Sequence, residues 1–460
     1  MHTDFPASAQ TESAQTASAQ AESAQAESAQ ANASPATSAA SAAAAAKKTA
    51  RSPKAIIIVP GIMGSSIYAN SKFTIGTVKF AKGTRVWAPS RSGVFSADEK
   101  VLSLSCDKDG RPLYDVDVLP PIVNDPDEKR NYGGLNIYKK LYRFLFDNFS
   151  DEYDIVLYEF DWRKSQYAVA QELDAYVNSQ GYTGVVLIAH SMGGNVTSYY
   201  LALGEAQRSK VLKHISIGAP YLGAEKLAYS FDTGDAVDNF LTIGKLVIPI
   251  DISVVIDNDI RSVMPNFPAV YGLLPLSFRF VPFLKVRMSG EMRRIDTYAN
   301  TVDMLSLHLK NWNTKLYKEA ISHQDKLFRN GRHVTTLVDS YYIVGDDVDT
   351  PEMVQLSLDA RNRKFRRLAA EMTRAGDGMV TVHSALIGNT ISKRVMFKYK
   401  SKGISKADHI SMVDGSDDCK TFDFIRDVIL GVDVFAFRRG DFYERYSGFK
   451  KRIVTVKQDL

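Results

Sequence analysis

Large apolar side chains are almost absent up to residue 52 and then arrive in short unbroken runs. The first run is Ala55-Ile56-Ile57-Ile58-Val59, closed by Pro60-Gly61. A continuous β-branched run bounded by turn residues predicts a strand buried on both faces of a parallel sheet. Similar runs fall at Tyr153–Tyr158, Gly184–Ala189, His214–Gly218, Ser340–Val344 and Val395–Tyr399. Between Tyr158 and Gly184, apolar residues at Tyr167, Ala170, Leu173 and Val177 share one face of a helix. A last helix is expected over Phe422–Leu430. Strand, helix and strand in turn imply a mostly parallel sheet with crossover helices, the α/β class.

Three stretches break the alternation. Tyr68–Asn131 is rich in turn residues and low in periodicity. Tyr221 to about Arg332 separates two strands and is too long for a bare loop, so about 222–332 is expected to form a cap or lid. Its apolar clusters, Leu246-Val247-Ile248 and Leu273-Leu274-Pro275-Leu276, suit either the cap's own core or an acyl-chain groove. The third stretch, Arg361-Asn362-Arg363-Lys364-Phe365-Arg366-Arg367-Leu368, is basic, and Phe365, Leu368, Ala369 and Met372 fall at helical spacing. That reads as a surface helix, able to rest transiently on an anionic lipid surface.

Residues 1–52 carry the triplet Ser-Ala-Gln at Ser8, Ser13, Ser18, Ser23 and Ser28. Such a segment lacks the apolar surface to offset its ordering entropy and is expected to be a disordered tail ahead of a domain over 53–460. Composition adds exclusions. The 460 residues are 45% apolar and 24% charged, with a net charge of +5 and no basic stripe suited to nucleic acid. Cys106 and Cys419 fit no metal-ligand spacing and read as two ordinary thiols. Neither a secretory leader nor a span of about 18 apolar residues is recognised, so the expected location is cytoplasmic.

The chemistry centres on Ala189-His190-Ser191-Met192-Gly193-Gly194, directly after an apolar run. A small-x-Ser-x-Gly turn between strand and helix is a nucleophile elbow, the mark of the α/β-hydrolase fold. It exposes the serine hydroxyl at a helix N-terminus, where free N–H groups favour developing negative charge. Met192 N–H is the expected first oxyanion donor, and Ile62 N–H, in Pro60-Gly61-Ile62-Met63-Gly64, the second. An acid and then a histidine should follow in the chain. Asp377, in Gly376-Asp377-Gly378-Met379-Val380, is favoured over Asp346, Asp347 and Asp349 for its flanking glycines. His409 lies after the last strand, where the base belongs. His190 is expected to face elsewhere, and His383 is too close to Asp377 in sequence.

At these residues the chain resembles the lecithin:cholesterol acyltransferase family. The resemblance rests on Val59-Pro60-Gly61-Ile62-Met63-Gly64-Ser65, Phe160-Asp161-Trp162-Arg163, the serine segment, Gly218-Ala219-Pro220-Tyr221-Leu222-Gly223 and the Asp377 segment. A weaker segment runs from Met264-Pro265-Asn266 to Leu273-Leu274-Pro275. It implies acyl transfer from a lipid or other ester, through an acyl-serine, to water or an alcohol. The same Ser191, Asp377 and His409, with Ile62 and Met192, are the site residues it implies, and no metal or organic cofactor. Trp162 is expected to pack rather than react. Two departures are visible: Cys106 has no nearby partner for the lid disulfide of eukaryotic members, and Met379 stands where a threonine is usual. A competing class, a non-catalytic interaction protein acting through its tail, is disfavoured by the presence of all three triad members.

Overall fold

The structure is a computed structural model. It describes residues 52–460 except 89–96, 128, 229–261, 277–280, 310, 360–363, 389, 392–394, 400–407, 417–419, 439–440, 442–443, 447–448 and 452–460. The repeat segment 1–51, the Leu246-Val247-Ile248 cluster, Arg361–Arg363 and Cys419 therefore lie outside the described residues.

The apolar runs become neighbours in one sheet. Strands β1 (Lys54–Val59), β3 (Asp154–Leu157), β4 (Gly184–His190), β5 (Val211–Ile217), β8 (Ser340–Asp346) and β11 (Val395–Tyr399) pair in parallel, in the order β3-β1-β4-β5-β8-β11. Short antiparallel strands close both edges, β2 (Ile122–Val123) on β3 and β12 (Phe449–Lys451) on β11. Successive side chains of a strand face opposite ways, so an unbroken apolar run supplies two cores at once. Ile57, Val59 and Leu187 join one core, with Ala170, Leu173 and Val177 of helix α2 (Gln166–Ser179) and Val196 and Tyr200 of helix α3 (Met192–Leu203). Ile56, Ile58 and Ile188 join the other, with Leu141 and Leu145 of helix α1 (Lys139–Phe149) and Phe422 and Ile425 of helix α4 (Lys420–Ile429). The Ser165 hydroxyl caps α2 by accepting from Ala168 N–H at 3.3 Å.

A second sheet is built from two distant pieces of chain. Within the long insertion, β6 (Leu284–Met288) pairs antiparallel with β7 (Glu291–Arg294). Between β8 and Asp377 the chain makes a hairpin, β9 (Thr350–Asp359) and β10 (Lys364–Thr373), and β9 pairs in parallel with β6. The helix expected around residues 361–372 is thus replaced by strand β10. Apolar spacing over so short a run does not separate the two states, and the antiparallel partner, which decides, lies outside the local pattern.

The Tyr68–Asn131 region is not bare loop either. Ile67–Ala69 pairs with Arg85–Trp87 and Val116–Val118. It is held to the loop after β3 by Arg163, whose guanidinium meets Asp161 at 2.7 Å and the carbonyls of Leu104 and Val116 at 2.9 and 3.4 Å. Trp162 packs edge-on to Trp87 and Phe267, fully buried. Cys106 is a buried free thiol whose ionisation burial pushes up to about 11. Among the described residues, no helix is long and apolar enough to cross a membrane.

Candidate active site

Ile62, Ser191 with Met192, and His409 come after the carboxyl ends of the parallel strands β1, β4 and β11, and Asp377 after the hairpin that follows β8, at the edge where open α/β sheets bind ligands. Ser191 stands between β4 and α3 with φ 54° and ψ −127°, a backbone state that L-residues rarely hold. Surrounding packing enforces it. A Cβ on Gly193 would lie 2.2 Å from Val59 O, and one on Gly194 would lie 2.2 Å from Ala219 Cβ. Only glycines let α3 start this close to β1 and to the β5 loop. The nucleophile's own N–H is spent on Ile217 O at 2.9 Å.

Asp377 and His409 are joined. His409 Nδ1 donates to Asp377 Oδ2 at 2.7 Å, with both side chains almost fully buried. The backbone repeats the link: His409 N–H donates to Asp377 O at 3.0 Å. Asp377 Oδ1 accepts from Met379 and Val380 N–H at 3.0 and 2.8 Å, so the turn orients the carboxylate before it meets the imidazole. Of the rival acids, Asp347 pairs instead with Arg374 at 2.8 Å on the surface.

Two glycines locate the serine against this pair. A Cβ on Gly61 would lie 2.8 Å from Ser191 Cβ and 3.3 Å from its Oγ. A Cβ on Gly218 would lie 3.0 Å from Asp377 Oδ2 and 3.1 Å from His409 Nδ1. Gly61 and Gly218 lie at the start of the loops that follow β1 and β5, on either side of β4. Ser191 Oγ forms no hydrogen bond to His409, or to any other described residue. Such bonds often close only around a bound substrate.

Of the two expected oxyanion donors, Met192 directly follows the serine and Ile62 directly follows Gly61, which packs against it. Met192 opens α3, so its N–H is among those with no carbonyl partner inside the helix. Ile62 is partly exposed, and among the described residues no protein acceptor takes its N–H. The preceding N–H, that of Gly61, donates to Tyr138 Oη at 2.9 Å and is not available.

The structure corrects the reading of His190. Its ring does not face away but lies 4.8 Å, centroid to centroid, from the ring of His409. Tyr138 and His190 are thus neighbours of the site that spacing along the chain could not reveal, since Tyr138 enters from α1's N-terminal boundary. His383 is elsewhere, beside Gly388, its Nε2 buried without a partner. A surface cavity lined by Tyr167, Ala202, Leu203, Lys326, Phe328 and Arg329 opens at the far end of α3, away from Ser191. Among the described residues no group of histidines, cysteines and acids could hold a metal.

The lecithin:cholesterol acyltransferase family model matches residues 131–371, just over half of the chain. That span contains Ser191 and Met192 and leaves Ile62, Asp377 and His409 outside it. No curated protein matches the chain. A chain in the crystal structure of the Tle4–Tli4 complex is similar with a TM-score of 0.53 at 13% identity, covering 84% of this chain and 100% of that one. The lipase BlEst2 of Bacillus licheniformis, in mature form, aligns with a TM-score of 0.33 at 14% identity over 68% of this chain and 98% of that one. A lipase-esterase related protein from Clostridium acetobutylicum aligns with a TM-score of 0.33 at 11% identity over 83% and 95%. The chain has the α/β-hydrolase fold, and it belongs to the lecithin:cholesterol acyltransferase family, an esterase-type hydrolase or acyltransferase acting on lipid esters.

Proposed function

We propose that the protein cleaves carboxylic esters of lipids or phospholipids through an acyl-serine at Ser191. The observation that carries this reading is the 2.7 Å bond between Asp377 and His409, buried beside a serine in the strained elbow conformation. In the proposed cycle Ser191 Oγ attacks the ester carbonyl and its proton passes to His409 Nε2. The tetrahedral oxyanion is held by the N–H groups of Ile62 and Met192. Collapse breaks the bond to the alcohol, which leaves with the proton from His409. Water then attacks the acyl-serine, giving its proton to His409, and the acid departs as Ser191 regains a proton. Asp377 keeps the imidazole in the required tautomer and stabilises its charged form.

An alcohol entering in place of water would make the same acyl-serine a transfer intermediate, and membership of this family favours testing that route. We further propose that the insertion at about 222–332 acts as the cap over the acyl chain. Within it, the segment Met264 to Leu276 packs on the Arg163 loop, with Ala269 N–H donating to Arg163 O at 3.0 Å, and is tied to the start of the insertion by Ala224 N–H, which donates to Leu273 O at 2.9 Å.

The test is hydrolysis of chromogenic acyl esters of short and long chain by wild type and Ser191→Ala. Loss of kcat by about six orders of magnitude is expected, the scale seen when a serine nucleophile is removed. Retained turnover in Ser191→Ala would remove the acyl-serine from the mechanism. Added acceptor alcohol, with analysis for a new ester, distinguishes transfer from hydrolysis.

A further inference from the structure

His190 has two ring nitrogens, and both are engaged by groups of the site. Nε2 lies 3.1 Å from the backbone carbonyl oxygen of His409. Nδ1 lies 2.9 Å from Tyr138 Oη, which also receives Gly61 N–H at 2.9 Å. All three residues around this chain of bonds are buried: Tyr138 is 0% exposed, His190 3% and His409 1%.

Donor and acceptor types allow one arrangement. A carbonyl oxygen only accepts, so Nε2 carries the proton and donates to His409 O. A neutral imidazole then has a bare Nδ1, which accepts from Tyr138 O–H, and the tyrosine oxygen in turn accepts from Gly61 N–H. Burial favours these neutral forms. It holds His190 well below the usual histidine range, with the neighbouring His409 adding to the effect, and it raises the Tyr138 phenol.

We infer that Tyr138 and His190 are positioning residues of the site, a fixed relay of hydrogen bonds that ties the Gly61–Ile62 loop to the backbone of His409. This inference rests on the acyl-serine reading above. His409 is gripped at its N–H and ring by Asp377, and at its carbonyl by His190. One end of the relay thus sets the base and the other sets the loop that carries Ile62. His190 is covalently joined to Ser191, so nucleophile, base and oxyanion loop share one rigid reference. Neither Tyr138 nor His190 exchanges a proton with substrate; each acts through another residue. Misplacement of reacting groups by about 1 Å costs about 100-fold, which is the leverage available to such a frame.

The experiment measures the rate at which a fluorophosphonate probe labels wild type, Ser191→Ala, Tyr138→Phe and Tyr142→Phe. Labelling of wild type but not of Ser191→Ala is required by the acyl-serine reading, and its absence would sink that reading rather than the relay. Tyr142 is the control. Its buried hydroxyl receives Asp125 N–H at 3.0 Å and donates to Ile155 O at 3.2 Å, away from Ser191. Tyr138→Phe removes two bonds of the relay and frees His190 to change tautomer. We expect its labelling rate and kcat to fall by about tenfold or more with KM little changed, while Tyr142→Phe loses Tm without losing rate. Equal rates in the two tyrosine variants would overturn the relay. Wild type itself gives a second reading that needs no variant. The 15N shifts of the His190 ring should report a protonated Nε2 and a bare Nδ1, unchanged from about pH 5 to pH 8, where an ordinary histidine titrates. A proton on Nδ1, or a ring that titrates in that window, would also overturn it.

Discussion

Asp377 is oriented before it does anything else. Two backbone N–H groups of its own turn hold Oδ1, which leaves Oδ2 aimed at His409. An amide at this position would offer His409 Nδ1 either a neutral oxygen or an opposing donor, and would favour the wrong tautomer. Asp377→Asn should therefore lower kcat by about three to four orders of magnitude in ester hydrolysis with the fold intact by circular dichroism. Asp347→Asn, on the surface ion pair with Arg374, should stay within a factor of about two to three. That Asp377 rather than Asp347 meets His409 accords with its Gly-Asp-Gly turn, a local device whose geometry the neighbours dictate. His190 was not readable. Its importance comes from Tyr138 and His409, which lie 52 and 219 positions away, and no spacing rule connects them.

At the scale of elements, the loop after β1 is shaped by what lies beneath it. Ser66 N–H donates to Glu159 Oε1 at 2.9 Å, and Phe160 N–H donates to Ser65 Oγ at 3.1 Å, so the β1 and β3 loops are cross-tied. Burial pushes Glu159 up from 4.5 to about 7, opposed by the Ser66 bond and by the charges of Arg130 and Arg85. The sign follows from proton binding. Between about pH 4.5 and pH 7 the native state holds a proton that the unfolded chain has released, so this group's stabilisation is full below that window and is lost as pH rises through it. Glu159→Gln keeps an acceptor for Ser66 and removes the titration. Its Tm relative to wild type should rise between pH 5 and pH 8, as followed by thermal melts; a constant offset would show that Glu159 is ionised throughout. Strands β1 and β4 were legible because a strand buried on both faces is apolar along nearly its whole length. Strand β10 was not, since its backbone partner β9 is found only after the chain has folded back.

For the whole molecule, the compact unit that contains the site begins at Ser52, close to where large apolar side chains begin in the sequence. The repeat contributes no large side chain that a core could use. A chain starting at Ser52 should keep the Tm and the ester kcat/KM of the full protein; a drop of more than about 4 °C, roughly 3 kcal/mol for a domain of this size, would assign the repeat a stabilising contact. The parallel sheet was legible at this scale because strand and crossover alternate regularly. The second sheet was hidden, because half of it comes from the long insertion and half from an excursion inside the segment that ends at Asp377.

That divided sheet bears on how such proteins can be recombined. The root of the β9–β10 hairpin is stitched to the acid's turn: Val348 N–H donates to Gly376 O at 3.1 Å, Asp347 N–H to Arg374 O at 2.7 Å, and Gly378 N–H to Thr350 Oγ1 at 2.8 Å. Lys285 on β6 meets Glu371 on β10 at 2.7 Å. A graft that moved only residues 222–332 into a relative would arrive with β6 unpaired along one side and an exposed edge. A graft that moved both pieces would carry the footing of the Asp377 turn with them. The insertion is therefore not a cassette, and exchange of specificity between relatives built this way must take both segments together or redesign the seam between them.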